Sequence, residues 1–141
     1  MFITELYFHL NLKMGKSKIY QLKLSDVIIQ HGKDKYPIDQ SAYYQALISN
    51  DGEIYENEVN KSKHQRRKDS GTWKGFLKLR EKLIKHGYYP SISPILINIK
   101  KKPYVSHGRH RIVLLMHIYG PKLKLVLQIK NGVGEVIDLS Y

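Results

Sequence analysis

Tyr104-Val105-Ser106-His107-Gly108-Arg109-His110-Arg111-Ile112-Val113-Leu114-Leu115-Met116 passes from a short extended segment through a polar turn into a continuous apolar run. Its order predicts a strand ending near His107 and a helix from Arg109 to Tyr119, stopped by Gly120-Pro121. Five of the six residues from Ser106 to Arg111 carry side-chain hydrogen-bond donors. A helix start behind a strand is an anion site in principle. Its first N–H groups lack intrahelical partners and sit at the positive end of the helix dipole. The chemistry of the chain is therefore expected at this strand-to-helix junction.

Upstream, Pro94-Ile95-Leu96-Ile97-Asn98-Ile99 is short, β-branched and bounded by Pro90 and by Lys100-Lys101-Lys102, which predicts a buried strand over 94–99. Tyr104-Val105 returns as its hairpin partner, with the lysines at the tip. Before that strand, Thr72 can cap a helix in which Trp73, Phe76, Leu77, Leu83 and Ile84 form one apolar stripe, and Gly87 supplies the left-handed stop. Downstream, 123–129 alternates like a strand, Asn131-Gly132 offers a tight turn, and 135–139 forms the last strand.

The first half is less regular. Residues 2–12 and 19–24 alternate as two strands around a turn at Met14-Gly15-Lys16-Ser17, and Val27-Ile28-Ile29 after Ser25-Asp26 suggests a short helical turn ending near Gly32. Asp39 is the expected N-cap of a helix over 40–49 with Ala42, Tyr43, Ala46 and Leu47 on one face, closed by Asn50-Asp51-Gly52. Residues 57–71 are almost wholly polar and are expected to form a basic, mobile loop. Together these elements predict one α+β domain over 1–141, a small mixed sheet with helices.

Composition agrees with a folded chain. Apolar residues make up 42% and charged residues 26% of 141, ordinary globular usage that argues against global disorder. There is no cysteine, so this chain supplies no disulfide, thiolate nucleophile or cysteine zinc site. Apolar runs are too short to span a bilayer, and Glu5 and His9 interrupt the first apolar stretch, so a cytoplasmic protein without a membrane partner is expected. Lysine and arginine total 24 against 12 acidic residues, and the net charge of +12 favours polyanionic partners, nucleotide or nucleic acid.

The helix ending in Gly87, the strand at 94–99, the hairpin return, Gly108-Arg109-His110-Arg111 opening a helix and Gly120 closing it resemble the ParB/sulfiredoxin superfamily over about 73–129. That superfamily's signature is Asp-Gly-x-His-Arg or a near relative. The resemblance implies a nucleotide, ATP or CTP with Mg2+, whose phosphates are held at the helix start. Gly108, His110 and Arg111 match the signature, while His107 stands in place of the aspartate. Arg109 stands where sulfiredoxins place their catalytic cysteine, which excludes sulfinic-acid repair by that route. The superfamily includes CTP-dependent partition proteins that bind DNA, ATP-dependent small-molecule kinases and proteins described as nucleases, so kinship does not select one activity.

The expected phosphate-binding residues are therefore His107, Gly108, Arg109, His110 and Arg111. Arg111 stands out because a guanidinium can make two parallel hydrogen bonds to phosphate and stays charged. His110 is also a candidate for proton transfer. A catalytic base or magnesium ligand is harder to place, and Glu53, Glu56 and Glu58 are the carboxylates to examine first. Lys61, Lys63, Arg66, Arg67 and Lys68 offer phosphate contacts to a nucleic acid. His107, His110 and His117 do not converge as zinc ligands, so no metal site is expected and His117 is read as a surface or packing residue. Trp73, Tyr88 and Tyr89 are read as packing residues. Nucleotide binding, with hydrolysis or phosphoryl transfer, is the leading expectation. The alternatives are a nucleic-acid-binding protein or nuclease using the same anion site, and a non-catalytic interaction module.

Overall fold

Ile112, Val113, Leu114, Leu115 and Met116 are all buried, so the helix that carries them must be covered on every side. The computed structural model describes residues 18–31, 33–61 and 71–140. Its helices are α1 (Ala42–Ser49), α2 (Gly52–Asn60), α3 (Trp73–His86) and α4 (Arg109–Tyr119), and α4 is the one that carries the buried run. Its strands are β1 (Lys18–Lys23), β2 (Ile28–His31), β3 (Asp34–Pro37), β4 (Leu96–Asn98), β5 (Tyr104–His107), β6 (Lys124–Lys130) and β7 (Val133–Ser140). The strands form one mixed sheet in the order β1-β6-β7-β4-β5-β2-β3. The fold is α+β, and no helix among the described residues is long and apolar enough to cross a membrane.

Neighbouring strands run antiparallel except β2 and β5, which pair in parallel with Ile28 opposite Tyr104. Alternation sends Leu22, Ile29, Ile97, Val105, Leu125, Leu127 and Val136 into one core. The same core takes Tyr43, Tyr55 and Phe76 from α1, α2 and α3, and α1 and α3 both pack on α4.

Local chemistry explains the helix boundaries. Ser41 caps α1, its Oγ accepting from Tyr44 N at 3.3 Å and donating to Ile38 O at 2.8 Å. Asn50 ends α1 in the left-handed conformation, and Asp51 immediately caps α2 by accepting from Glu53 N at 3.0 Å. Thr72 caps α3, accepting from Gly75 N at 3.0 Å, and Glu56 Oε2 accepts from Trp73 N at 2.9 Å to tie α2 to the start of α3. Gly52 makes room for that contact, since a Cβ there would meet Trp73 Cγ at 2.5 Å.

Several expectations need correction. Ser41 and not Asp39 caps the first helix, because Ile38, Asp39 and Gln40 form a 3-10 turn. Ile28 and Ile29 belong to a strand: edge pairing with β3 and parallel pairing with β5 override the local turn signal, which is confined to Leu24, Ser25 and Asp26. The polar stretch 57–71 is not a loop throughout, since residues 57–60 complete α2, with Tyr55 and Val59 one turn apart and both buried. Ile84 and Tyr89 do not join the core; both are 56% exposed. The strand expected over 2–12 and the turn at Met14-Gly15-Lys16-Ser17 lie outside the described residues.

Phe76 is fully buried and stacks on Tyr55 with ring centroids 4.4 Å apart and planes 14° apart. Phe76→Ala is expected to cost ~3–5 kcal/mol in denaturant unfolding, whereas Ile84→Ala should stay within ~0.5 kcal/mol of the parent.

Candidate functional site

Gly108 makes the junction between β5 and α4 possible. It is the N-cap of α4 at φ 97°, ψ 31°, with no side-chain cap, and its carbonyl accepts from Ile112 N at 3.0 Å. A Cβ at this position would lie 2.9 Å from Ile95 Cγ1, 3.2 Å from Ile95 Cα and 3.3 Å from Pro94 O. Glycine is therefore demanded twice, by the left-handed backbone and by the close approach to the chain entering β4.

The expected phosphate ligands diverge from this turn. His107 ends β5 exposed, and Ser106 beside it donates to Leu96 O at 3.3 Å. Arg109 is half-buried and reaches toward β2, where its Nη1 donates to Gln30 O at 2.8 Å. Arg111 is half-buried, and its charge acts on Tyr88. Tyr88 donates to Ser93 O at 2.7 Å; burial pushes its hydroxyl up to about 12, with Arg111 opposing that rise and Glu135 adding to it. Arg109 is thus directed to the β2 carbonyl, while Arg111 lies within electrostatic range of Tyr88.

His110 turns inward. Its ring centroid is 4.7 Å from Tyr43, 5.6 Å from Phe76 and 5.7 Å from Tyr55, and its Nε2 lies 3.5 Å from Tyr55 Oη. The ring is built into the aromatic layer between α4 and the three preceding helices. His117, further along α4, sits edge-on to Tyr44 at 6.2 Å, a packing role as expected.

Of the three carboxylates, the structure brings one to this corner. Glu53 is exposed, Glu56 holds the start of α3, and Glu58 points its Oε2 to within 3.2 Å of His31 Nδ1. Lys61 Nζ lies 3.6 Å from the other Glu58 oxygen, but its side chain is 74% exposed and that pair is worth little. Lys63, Arg66, Arg67 and Lys68 lie outside the described residues.

His31 went unrecognised in the sequence. It closes β2 and is only 8% exposed, with Tyr43 edge-on at 4.8 Å and Tyr36 at 6.0 Å. Burial holds its pKa below the usual histidine value; Glu58 pulls it up, while Arg109 and Lys61 push it down. The imidazole is therefore neutral at pH 7, and a carboxylate, which can only accept, keeps the proton on Nδ1. That leaves Nε2 as an acceptor, and among the described residues it is shielded from solvent and has no hydrogen-bond partner. Burial also raises the Tyr43 hydroxyl, with Arg109 opposing and Glu58 reinforcing the shift. The one usable signal in the sequence was a histidine ending an apolar strand just before Gly32.

The parallel pair explains why these groups meet. His31 and His107 each lie three residues beyond the Ile28–Tyr104 pair, so both strands present their carboxyl ends to the same edge where α4 begins. Carboxyl ends of parallel strands are where ligands collect in open sheets. Among the described residues, no group of three histidine, aspartate or glutamate side chains is placed to hold a metal. In comparisons with known proteins, no family model, curated protein or solved structure matches the chain.

Gly108→Ala is expected to destabilise the fold by ~2–4 kcal/mol, the sum of a left-handed alanine and a forced shift of Ile95; urea unfolding measures it. The lowered pKa of His31 sets a pH dependence opposite in sense to that of a histidine whose pKa an ion pair raises. Below the ordinary value of 6.5 the unfolded chain takes up the proton first, so stability present at pH 7 falls on acidification toward the folded value. The slope of unfolding free energy against pH in that window should shrink in His31→Gln, with His117, also lowered by burial, carrying part of the remainder.

Proposed function

We propose that the chain is a ParB/sulfiredoxin-like domain that binds the phosphates of ATP or CTP at the start of α4, with Mg2+ arriving as the metal–nucleotide complex. The observation that carries this reading is the uncapped, left-handed Gly108 followed in the first turn of α4 by Arg109 and Arg111. The order α3, β4, β5, α4, β6, with Gly87 and Gly120 both at positive φ behind their helices, supports the same reading.

Magnitudes indicate which groups must do the binding. A helix dipole alone offers about 0.3–1 kcal/mol to a charge at its start. Hydrogen bonds from a guanidinium to phosphate contribute ~1.5–3 kcal/mol each, so the arginines dominate. The bond from Arg109 to Gln30 O uses one donor of a five-donor fork and fixes the direction of the rest. His110 would contribute through its backbone N–H and by holding the turn, since its ring is engaged in the aromatic layer. His107 replaces the acidic residue of the signature and sits exposed at the mouth, adding donors where the superfamily has an acceptor.

The net charge of +12 favours a second reading, in which the same junction takes a backbone phosphate of DNA or RNA, with or without cleavage. Calorimetric titration with ATP, CTP and GTP, with and without Mg2+, tests the first. Binding of ATP or CTP is expected, with affinity abolished by Arg111→Ala and reduced at least tenfold by Arg109→Ala while circular dichroism is unchanged. Absence of binding by all three nucleotides overturns it. A DNA shift that weakens steeply with salt would then favour the second reading, and no shift a non-catalytic interaction module.

A further inference from the structure

His31 and Glu58 form a pair that the phosphate site does not itself require. Their side chains are 6% and 15% exposed, and the two meet at 3.2 Å on the Nδ1 side of the ring. The other ring nitrogen is shielded and has no partner among the described residues. A purely structural side chain at the end of β2 gains nothing from this arrangement, because an apolar residue fills the same space without leaving an acceptor orphaned. A histidine with its Nδ1 proton held by a carboxylate and its buried Nε2 left without a partner among the described residues is instead oriented to accept a proton once nucleotide and water are admitted beside it.

Its position supports that use. Arg109, which donates to the carbonyl of the adjacent Gln30, also acts electrostatically on His31, so the imidazole and the cationic helix start share one corner. We infer that His31, oriented by Glu58, is the general base for hydrolysis of the terminal phosphate of a nucleoside triphosphate held at the β5–α4 junction. This rests on the nucleotide reading above.

The step balances without a further reactant. Water gives a proton to His31 Nε2 as its oxygen forms a bond to the γ-phosphorus. The bond from that phosphorus to the β–γ bridging oxygen breaks, and the electron pair leaves with the nucleoside diphosphate. Glu58 stabilises the imidazolium until the products leave and water, reaching the vacated site, takes up the proton. Arg109 and Arg111 would offset the charge on the transferring phosphoryl oxygens.

The groups facing His31 are Glu58 and Lys61 from α2, Arg109 from α4, Tyr43 from α1 and Tyr36 from β3. Among them Glu58 alone raises the pKa of the imidazole. Phosphate release from Mg·ATP and Mg·CTP by the full chain, measured across pH beside calorimetric affinities, tests the assignment. His31→Asn is expected to lower kcat about a hundredfold or more with nucleotide affinity retained. Glu58→Gln is expected to lower kcat about tenfold or more and move the acid limb of the profile to lower pH. That profile carries the test should His31→Asn not fold. A folded His31→Asn with parental kcat, a Glu58→Gln profile that superimposes on the parent, or nucleotide binding without phosphate release each overturns the base. Failure of the parent to bind either nucleotide is a separate result, seen by calorimetry, and overturns the nucleotide site itself.

Discussion

The structure depends on burying α4 from all sides. Five successive apolar residues leave no polar face for water, so the helix must lie between the sheet and the α1–α3 layer. That placement determines where its first turn falls. Because Gly108 packs against Pro94 and Ile95, the helix starts directly behind the strand ends, and its three polar leading residues cannot all point the same way. Arg109 goes to the β2 carbonyl of Gln30, and the histidine goes into the aromatic layer. The anion-attracting corner and the hydrophobic core are thus built by one constraint.

That constraint also explains the polar groups inside the aromatic layer. Tyr43 contacts both His31 and His110, and Tyr55 contacts His110 and stacks on Phe76. Burial in the layer holds the His31 pKa down, and both Glu58 from α2 and Arg109 from α4 act on His31 and Tyr43 within it. Charges within it are felt more strongly than on the surface because water does not screen them.

Much of the second half was legible in the sequence. Thr72, Gly87, Gly108 and Gly120 mark helix ends by chemistry that acts within a few residues, and Asn131-Gly132 makes its tight turn with both residues at positive φ. The first half was less legible because its structure comes from partners distant in the chain. Ile28 and Ile29 became strand through β5, and α2 is stabilised by Tyr55 and Val59 under an otherwise polar surface. Glu58 could be named as a carboxylate of interest, but the histidine it orients could not, since nothing local ties residue 31 to residue 58. The cradle glycine was readable and the groups around it were only partly so.

The parallel pairing of β2 with β5 joins segments that are far apart in the chain, Ile28 and Tyr104. Such a contact closes a long loop, and the entropy of that closure must be offset by the contacts it brings together. The corner holding His31, Arg109 and Gly108 depends on that pairing, and a ligand selective for it stabilises the completed topology.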